Sequence, residues 1–197
     1  GRLRGKNAAR CFDQRNPSEK PSITALTYSH KYTLSSMPQI SDKTYDLSIS
    51  FLTPHYFARE RVKAKKYAAW IHTDYTALSF DRSAERSMWS GYDAICGVSE
   101  FVSQGFRRTF PELAGKVQTI ENILPKELIL EQTEAPQNDM PSEESISLLS
   151  IGRFCDAKNF DNIPDLCRRL VEDGLDVRWY LIGYGGDEPR IRQKIAE

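Results

Sequence analysis

Short apolar runs alternate with stretches of helical periodicity along this sequence, and that alternation restricts the chain to an α/β fold. The first predicted strand alternates apolar with polar residues, so it is expected to bury one face, formed by Tyr45, Leu47, Ile49 and Phe51. Further strands are predicted at 67–71, 94–98 and 116–120. Helices are predicted between the strands at 56–66, 83–90 and 99–110. Strands separated by helices at this spacing predict a parallel sheet built from right-handed βαβ units.

The alternation is interrupted once and then resumes, which predicts two domains. Residues 131–145 contain five acidic residues, two prolines and no Lys or Arg. That composition is typical of a solvated linker. Strands and helices resume beyond it, and we expect both domains to be incomplete in this chain. We place a partial first domain at 1–123, the linker at 124–145 and the start of a second domain at 146–197.

The second domain contains the clearest helical pattern in the chain. Between strands predicted at 147–151 and 177–182, apolar residues recur at i, i+3, i+4, i+7 and i+8, namely Ile163, Leu166, Cys167, Leu170 and Val171. Asp161 is expected to cap this helix and Gly174 to end it, and Asp187 is expected to start the next helix. Residues 1–44 are less informative, because the segment near 23–34 fits a strand or a short helix equally well.

Composition excludes several classes of protein. The 27 Lys and Arg residues balance 27 Asp and Glu residues, so no net field attracts nucleic acid, and no nucleic-acid partner is expected. The apolar runs are far too short for a membrane-spanning helix. The four cysteines lack C-x-x-C spacing, and Cys96 and Cys167 are expected to be small buried residues, which favours a reducing compartment. The three histidines are too dispersed for a zinc signature.

The loop after the strand at 147–151 is the first candidate site. It follows the carboxyl end of a parallel strand, where open α/β sheets bind their ligands. Gly152 lets backbone approach a ligand closely, Arg153 can grip a phosphate with two hydrogen bonds, and Lys158 adds a mobile point charge. Together with the helix start that follows, they suit a diphosphate without a metal ion. The alternative is a surface loop with two solvated basic residues.

A glycine-rich turn at 183–186 is the second candidate. Gly183 and Gly185 lie between a strand and a helix, where a nucleotide or sugar can approach the backbone. A tight turn without a ligand explains them equally well. The turn is neither a Walker A loop nor a G-x-G-x-x-G fingerprint, because Glu188 occupies the sixth position.

His72 and Asp74 form the third candidate, at the carboxyl end of the strand predicted at 67–71. A histidine there can hydrogen-bond a substrate hydroxyl or phosphate, or stabilise developing charge. The alternative is a structural histidine packed beneath a loop.

Two further features have simpler explanations beside the functional ones. The basic stretch 56–66, read as one helix, could rest on anionic lipid headgroups, although such a run is more often a solvated face. Ser99 opens the helix predicted at 99–110, and helix capping explains it without a ligand.

The order of these motifs resembles the retaining glycosyltransferases of family 4, a bacterial group with two Rossmann-like domains in the GT-B arrangement. The resemblance covers residues 45–197 and depends on order and spacing, because each motif is short. It is carried by Trp70-Ile71-His72, Trp89-Ser90-Gly91-Tyr92-Asp93-Ala94-Ile95, Val98-Ser99-Glu100, Ile120-Glu121-Asn122, Ser150-Ile151-Gly152-Arg153 with Lys158-Asn159-Phe160, and Leu181-Ile182-Gly183-Tyr184-Gly185.

The resemblance implies transfer of a sugar, with retention, from a UDP- or GDP-sugar to a glycan or lipid-linked acceptor in surface polysaccharide biosynthesis. It implies a cytoplasmic enzyme, and lipid contact by the basic stretch 56–66 would add peripheral association with the inner face of the membrane. Arg153 and Lys158 match the pair that holds the nucleotide-sugar diphosphate, and His72 matches the histidine that faces the sugar. Gly183 and Gly185 match the turn beside the nucleotide, and Asn122 matches the asparagine that ends the first domain. No cofactor or metal is implied.

Two departures limit what the chain is expected to do. The family's first strand with its glycine-rich loop is not recognisable in residues 1–44, and its acidic E-x7-E stretch would lie beyond Glu197. Residues 1–197 alone are therefore expected not to catalyse transfer. The alternatives are a sugar-nucleotide epimerase or phosphorylase on the same fold, or a non-catalytic nucleotide-binding α/β module.

Overall fold

The computed structural model describes residues 1–53, 55–134 and 145–197. Within it the chain separates into two compact units, Gly1–Lys126 and Glu127–Glu197. The range expected as a linker, 124–145, contains an exposed helix at Lys126–Thr133, and residues 135–144 of this range lie outside the described part.

The first unit contains one sheet of four parallel strands in the order β1-β2-β3-β4. The strands are β1 (Thr44–Ser50), β2 (Lys63–Ile71), β3 (Ala94–Gly97) and β4 (Val117–Thr119). The helices of the chain are α1 (Arg2–Arg15), α2 (Thr24–Thr33), α3 (His55–Arg61), α4 (Arg82–Ser90), α5 (Glu100–Thr109), α6 (Lys126–Thr133), α7 (Ile163–Glu172) and α8 (Glu188–Ala196). The predicted parallel sheet is confirmed.

The core of the first unit lies on one face of this sheet. Since each strand is added on the same side of the preceding one, right-handed connections place the connecting helices on a common face. The strand residues in that core are Ala69, Ile71, Ile95 and Val117, and the helices supply Met88, Trp89, Val102 and Phe106. Cys96, on β3, is only 2% exposed, as predicted.

The prediction for the buried face of β1 is wrong. Ser48 and Ser50 are buried, whereas the four apolar residues of the predicted face remain between 41% and 52% exposed. Register explains the reversal, because Ser48 and Ser50 pair with Tyr67 and Ala69 of β2, and Ala69 belongs to the core face. Strand alternation then puts Tyr45, Leu47, Ile49 and Phe51 on the opposite face.

The single helix predicted at 56–66 is also wrong. Helix α3 ends at Arg61, and β2 starts at Lys63 because its first residues pair with β1 from Thr44 onward. Four of the five basic side chains of this stretch, all except that of Lys63, bind other described parts of the first unit. Arg61 donates to the carbonyl of Leu34, and Lys65 and Lys66 form ion pairs with carboxylates on neighbouring strands and loops. The amphipathic helix on which membrane contact through 56–66 depended is therefore absent.

Residues 1–44, which the sequence left ambiguous, form the paired helices α1 and α2. The helices touch at Gly5, where an added Cβ would lie 2.5 Å from the Cα of Ser29. Asp13 at the end of α1 accepts a hydrogen bond of 2.9 Å from Thr24 at the start of α2. Thr27 of α2 in turn donates to Glu85 of α4 at 2.6 Å, which ties the pair to the rest of the first unit.

The second unit contains two parallel strands, β5 (Ile146–Ile151) and β6 (Val177–Ile182), joined through α7. Its small core is made by Phe154, Phe160, Ile163 and Ile191. Of the predicted apolar face of α7, Ile163 is buried, Cys167 is half-buried, and Leu166 and Val171 are 46% and 53% exposed.

The predicted ends of the helices in the second unit have mixed outcomes. Gly174 follows the end of α7 with a φ of +87°, and Asp187 is the N-cap residue of α8, as expected. The prediction that Asp161 caps α7 is wrong, because Asn162 holds that position and Asp161 lies in a preceding 3₁₀ turn. Its carboxylate instead lies 3.4 Å from the guanidinium of Arg190.

Candidate functional site

Two loops at the carboxyl ends of β5 and β6 form one surface. We call residues 152–159 the β5 loop and residues 183–187 the β6 loop. Two backbone hydrogen bonds join them, from the N–H of Phe154 to the carbonyl of Tyr184 (2.9 Å) and from the N–H of Asp187 to the carbonyl of Phe154 (3.2 Å). A third connects the N–H of Gly152 to the carbonyl of Ile182, the last residue of β6 (3.0 Å). The two glycine-containing candidates in the second unit are therefore parts of a single site.

Close packing between these loops accounts for two of the predicted glycines. A Cβ on Gly183 would lie 1.8 Å from the carbonyl oxygen of Gly152, and one on Gly185 would lie 2.1 Å from that of Phe154. Any larger residue would separate the loops. Contact of Gly183 and Gly185 with a nucleotide stays a prediction, since loop packing alone explains their size.

The β5 loop exposes Arg153 and Lys158 while its aromatic residues are buried. Phe154 and Phe160 are 6% and 5% exposed, and their ring centroids are 5.0 Å apart. The Cβ position of Gly152 lies 3.1 Å from the ring of Phe160, so this glycine also fits close packing. The side chains of Arg153 and Lys158 are exposed and have no hydrogen-bond or ion-pair partner among residues 1–53, 55–134 and 145–197. Both cations are therefore available to an anionic ligand.

A third cation in the second unit, Arg190 of α8, is in the opposite situation. Its guanidinium lies 3.0 Å from a carboxylate oxygen of Asp156, 3.3 Å from Asp187 and 3.4 Å from Asp161. This cluster was not predicted from the sequence. The i,i+3 spacing of Asp187 and Arg190 was a visible signal, but nothing in the spacing of Asp156 and Asp161 pointed to α8.

In the first unit, His72 follows the carboxyl end of β2 and is exposed. Its Nε2 is 2.9 Å from the carbonyl oxygen of Phe51, and the two rings are 4.6 Å apart in an edge-on contact. His72 and Thr73 line a cavity of about 240 Å³ together with residues that follow β1 and with part of α2. The walls are mostly apolar and include Ile23, Leu26, Leu52, Ile71 and Leu78.

Asp74 does not join His72 in that cavity. Its carboxylate accepts hydrogen bonds from the backbone N–H and the hydroxyl of Thr76, at 2.9 Å and 2.7 Å, and caps a 3₁₀ turn. One of its oxygens lies 2.7 Å from the Cβ position of Gly105 on α5. The hydrogen bonds from Thr76 lower the pKa of Asp74. Its observed contacts are those of a capping residue, and its catalytic role stays a prediction.

Two buried polar residues near the cavity were not predicted. His55 is 6% exposed and its Nδ1 lies 2.8 Å from the hydroxyl of Ser50, and burial lowers its pKa to about 4. Glu85 is 2% exposed and accepts hydrogen bonds from Thr27 (2.6 Å), Tyr75 (2.7 Å) and Trp89 (3.2 Å). Burial, with the nearby charge of Glu85, raises the pKa of Tyr75 well above its usual value. Hydrogen-bonded buried groups of this kind hold the packing around them in one arrangement.

The remaining predicted residues lie on the first unit. Ser99 accepts a hydrogen bond of 3.3 Å from the N–H of Val102 and caps α5, as predicted. Asn122 is exposed after β4. Ligand contact by either residue stays a prediction.

Within the described ranges, no group of three or more His, Cys, Asp or Glu residues could hold a metal ion. None of the helices in the described residues is long and apolar enough to cross a membrane.

No protein-family model matches the chain, and neither does any curated protein. Among solved structures, one that resembles it is a variant of the glycosyltransferase TarM of S. aureus, in complex with Fondaparinux, alpha-GlcNAc-glycerol and UDP. The TM-score is 0.50 at 14% identity, over 87% of this chain and 34% of that protein. The chain thus spans about a third of TarM's length. At this identity the likeness concerns the fold alone, and it confirms the predicted α/β fold of GT-B type.

Proposed function

We propose that this chain is part of a glycosyltransferase that takes its sugar from a nucleotide-sugar donor. One observation carries the proposal: the β5 loop presents Arg153 and Lys158 at the carboxyl end of a parallel strand, and their side chains have no partner among the residues that the structure describes. Ligands of open α/β sheets bind at that end. Two cations on one short loop match the two adjacent phosphates of a nucleoside diphosphate.

The chemistry of sugar transfer requires charge stabilisation at this position. When the bond between the anomeric carbon and the diphosphate breaks, its electron pair leaves with the diphosphate, which gains negative charge. Fixed cations beside the leaving group stabilise the transition state more than the ground state. We assign this role to Arg153 and Lys158. A catalytic contact with the donor sugar is assigned to His72, and reaction without a metal ion is part of the proposal.

The fold comparison supports the same class of ligand. TarM was solved in complex with UDP and alpha-GlcNAc-glycerol, and our proposal transfers to this chain only the class of these molecules. The finer expectations are a UDP- or GDP-sugar as donor, a glycan or lipid-linked acceptor, retention at the anomeric carbon and membership in family 4. Surface polysaccharide biosynthesis in the cytoplasm is the setting that these substrates suit.

A thermal-shift screen of the full-length protein against UDP, GDP, ADP and their sugars tests the proposal. A ligand that binds the native state raises the melting temperature by mass action, and we expect one nucleotide base to stand out. Slow hydrolysis of the matching nucleotide sugar without acceptor would support a transferase. Binding without hydrolysis would instead favour a non-catalytic module, and no shift with any nucleotide would contradict the proposal.

A further inference from the structure

We propose that Arg190 is a positioning residue for the diphosphate site, an inference that rests on the proposed function. It acts by neutralising three carboxylates that surround the β5 and β6 loops. Without that neutralisation, the carboxylates would repel a diphosphate and compete for Arg153 and Lys158.

The geometry places Arg190 at the junction of both loops. Asp156 lies in the β5 loop, Asp161 follows that loop, and Asp187 ends the β6 loop at the start of α8. One guanidinium nitrogen, Nη2 of Arg190, is within 3.4 Å of all three carboxylates. Because a guanidinium is planar and carries several donors, it suits a position between several carboxylates better than an ammonium group.

Asp187 depends most directly on this contact. Its Oδ2 is buried and has no hydrogen-bond partner within the described part of the chain, and the cation 3.3 Å away is Arg190. Removing Arg190 would leave a buried carboxylate oxygen uncompensated at the point where the backbone of Asp187 binds Phe154. The same change would release Asp156, whose side chain is 91% exposed and is free to turn toward other cations.

The charge balance of the site explains why Arg153 and Lys158 have no partner. Three carboxylates lie in or beside the two loops, and all three contact Arg190. Arg153 and Lys158 belong to the same loop as Asp156, yet neither pairs with it. Arg190 therefore leaves both cations free for an anion, although it lies on α8 and outside the β5 loop.

The test compares UDP affinity, by titration calorimetry, among variants of the full-length protein. Arg190→Gln is expected to weaken UDP binding, because the three carboxylates would then repel the diphosphate. The expected loss is roughly tenfold, since a high effective dielectric at a partly exposed site limits such repulsion. Arg192→Gln is the matched control, because it also removes one positive charge from α8 but breaks only an exposed pair with Glu188. It is expected to change the affinity less than about twofold.

A second substitution separates charge neutralisation from a purely structural role. Asp156→Asn, introduced into the Arg190→Gln variant, is expected to restore part of the lost affinity, because it removes one uncompensated charge. Alone, Asp156→Asn is expected to tighten UDP binding about twofold, since it makes the net charge beside the site more positive. Asp156 is exposed, so the single variant stays informative even if Arg190→Gln does not fold.

The outcomes distinguish this inference from the proposed function. If Arg190→Gln binds UDP as tightly as the wild type, or if Asp156→Asn binds UDP more weakly, the diphosphate site stands while the role of Arg190 is overturned. Loss in Arg190→Gln that Asp156→Asn does not rescue would overturn it too. GDP replaces UDP in these titrations if the thermal-shift screen identifies guanine as the base. If the wild-type protein binds neither that nucleoside diphosphate nor inorganic pyrophosphate, both the diphosphate site and the role of Arg190 fail.

Discussion

The basic residues of 59–66 in the first unit and those of the β5 loop in the second are used in different ways. In the first stretch, Arg59, Arg61, Lys65 and Lys66 make internal contacts, such as the ion pair of Lys65 with Asp46 and the hydrogen bonds of Arg61 to Leu34. In the second unit, Arg190 pairs with the nearby carboxylates, and the side chains of Arg153 and Lys158 have no partner in the described part of the chain. Whether basic side chains are already paired within the protein thus says more about ligand binding than how many of them a segment contains.

Removing the unpaired cations should have the largest effect. Under the proposed function, we expect Arg153→Ala or Lys158→Ala in the full-length protein to raise the activation barrier of sugar transfer by roughly 2–4 kcal/mol, because each removes charge stabilisation from the leaving diphosphate. Initial rates of sugar transfer measure this. Arg169→Ala, in the last turn of α7, is the matched control and should leave the rate near that of the wild type. Near wild-type turnover in both loop variants would remove the contrast between the units.

The buried histidine of the first unit should make stability depend on pH. Burial lowers the pKa of His55 from 6.5 to about 4, so the native state keeps it neutral where the unfolded state is protonated. The free energy of unfolding should therefore fall as the pH drops from about 6.5 to about 4, by roughly 3 kcal/mol in total. Urea unfolding at several pH values measures it. His55→Gln should flatten this dependence, and an unchanged slope would show that His55 already accepts a proton in the folded protein.

The contact between the β5 and β6 loops predicts different losses of stability when two glycines of the β6 loop are replaced by alanine. Gly183→Ala places a Cβ against the carbonyl oxygen of Gly152 and should reduce the free energy of unfolding by roughly 2 kcal/mol. Gly186→Ala meets no atom within 4 Å and should change it by less than about 0.5 kcal/mol. Denaturant unfolding of the two variants gives the comparison. Equal stabilities would mean that the loops are not packed as described.

Removing a paired lysine of the first unit should have the smallest effect of these substitutions. Lys65→Ala breaks an ion pair whose side chains are 71% and 89% exposed, so the free energy of unfolding should change by less than about 0.5 kcal/mol. Because 56–66 is not an amphipathic helix, binding to vesicles with anionic lipids should not change either. Co-sedimentation with such vesicles tests this, and a clear loss of binding would restore the membrane role of this stretch.

Most of the fold followed from patterns that are local in the sequence. The strands β3 to β6 lie within one or two residues of their predicted positions, and the α/β alternation gave the parallel pairing. The failures involve partners that are distant in the chain. The buried face of β1 was decided by its register with β2, and the end of α3 by the pairing of Lys63 with Thr44. Neither pairing leaves a local signal.

In the candidate site too, local signals were predicted from the sequence and contacts between distant segments were not. The sequence pointed to Gly152, Arg153 and Lys158 because a loop after a parallel strand has a known place in such folds. It did not reveal that Gly183 and Gly185 are needed for contact between the loops, or that Arg190 holds three carboxylates. Those facts depend on three segments that meet only after folding. Asp74 was singled out by its distance from His72 in sequence, whereas its carboxylate caps a turn.

The most direct test of the central claim compares the affinities of the full-length protein for UDP and for uridine, which lacks the phosphates. If the base identified by the thermal-shift screen is guanine, GDP and guanosine replace them. We expect the wild type to bind the diphosphate much more tightly than the nucleoside. In the variant carrying both Arg153→Ala and Lys158→Ala, this preference should nearly vanish. A double variant that keeps the full preference would show that the diphosphate is held elsewhere, and would contradict the account.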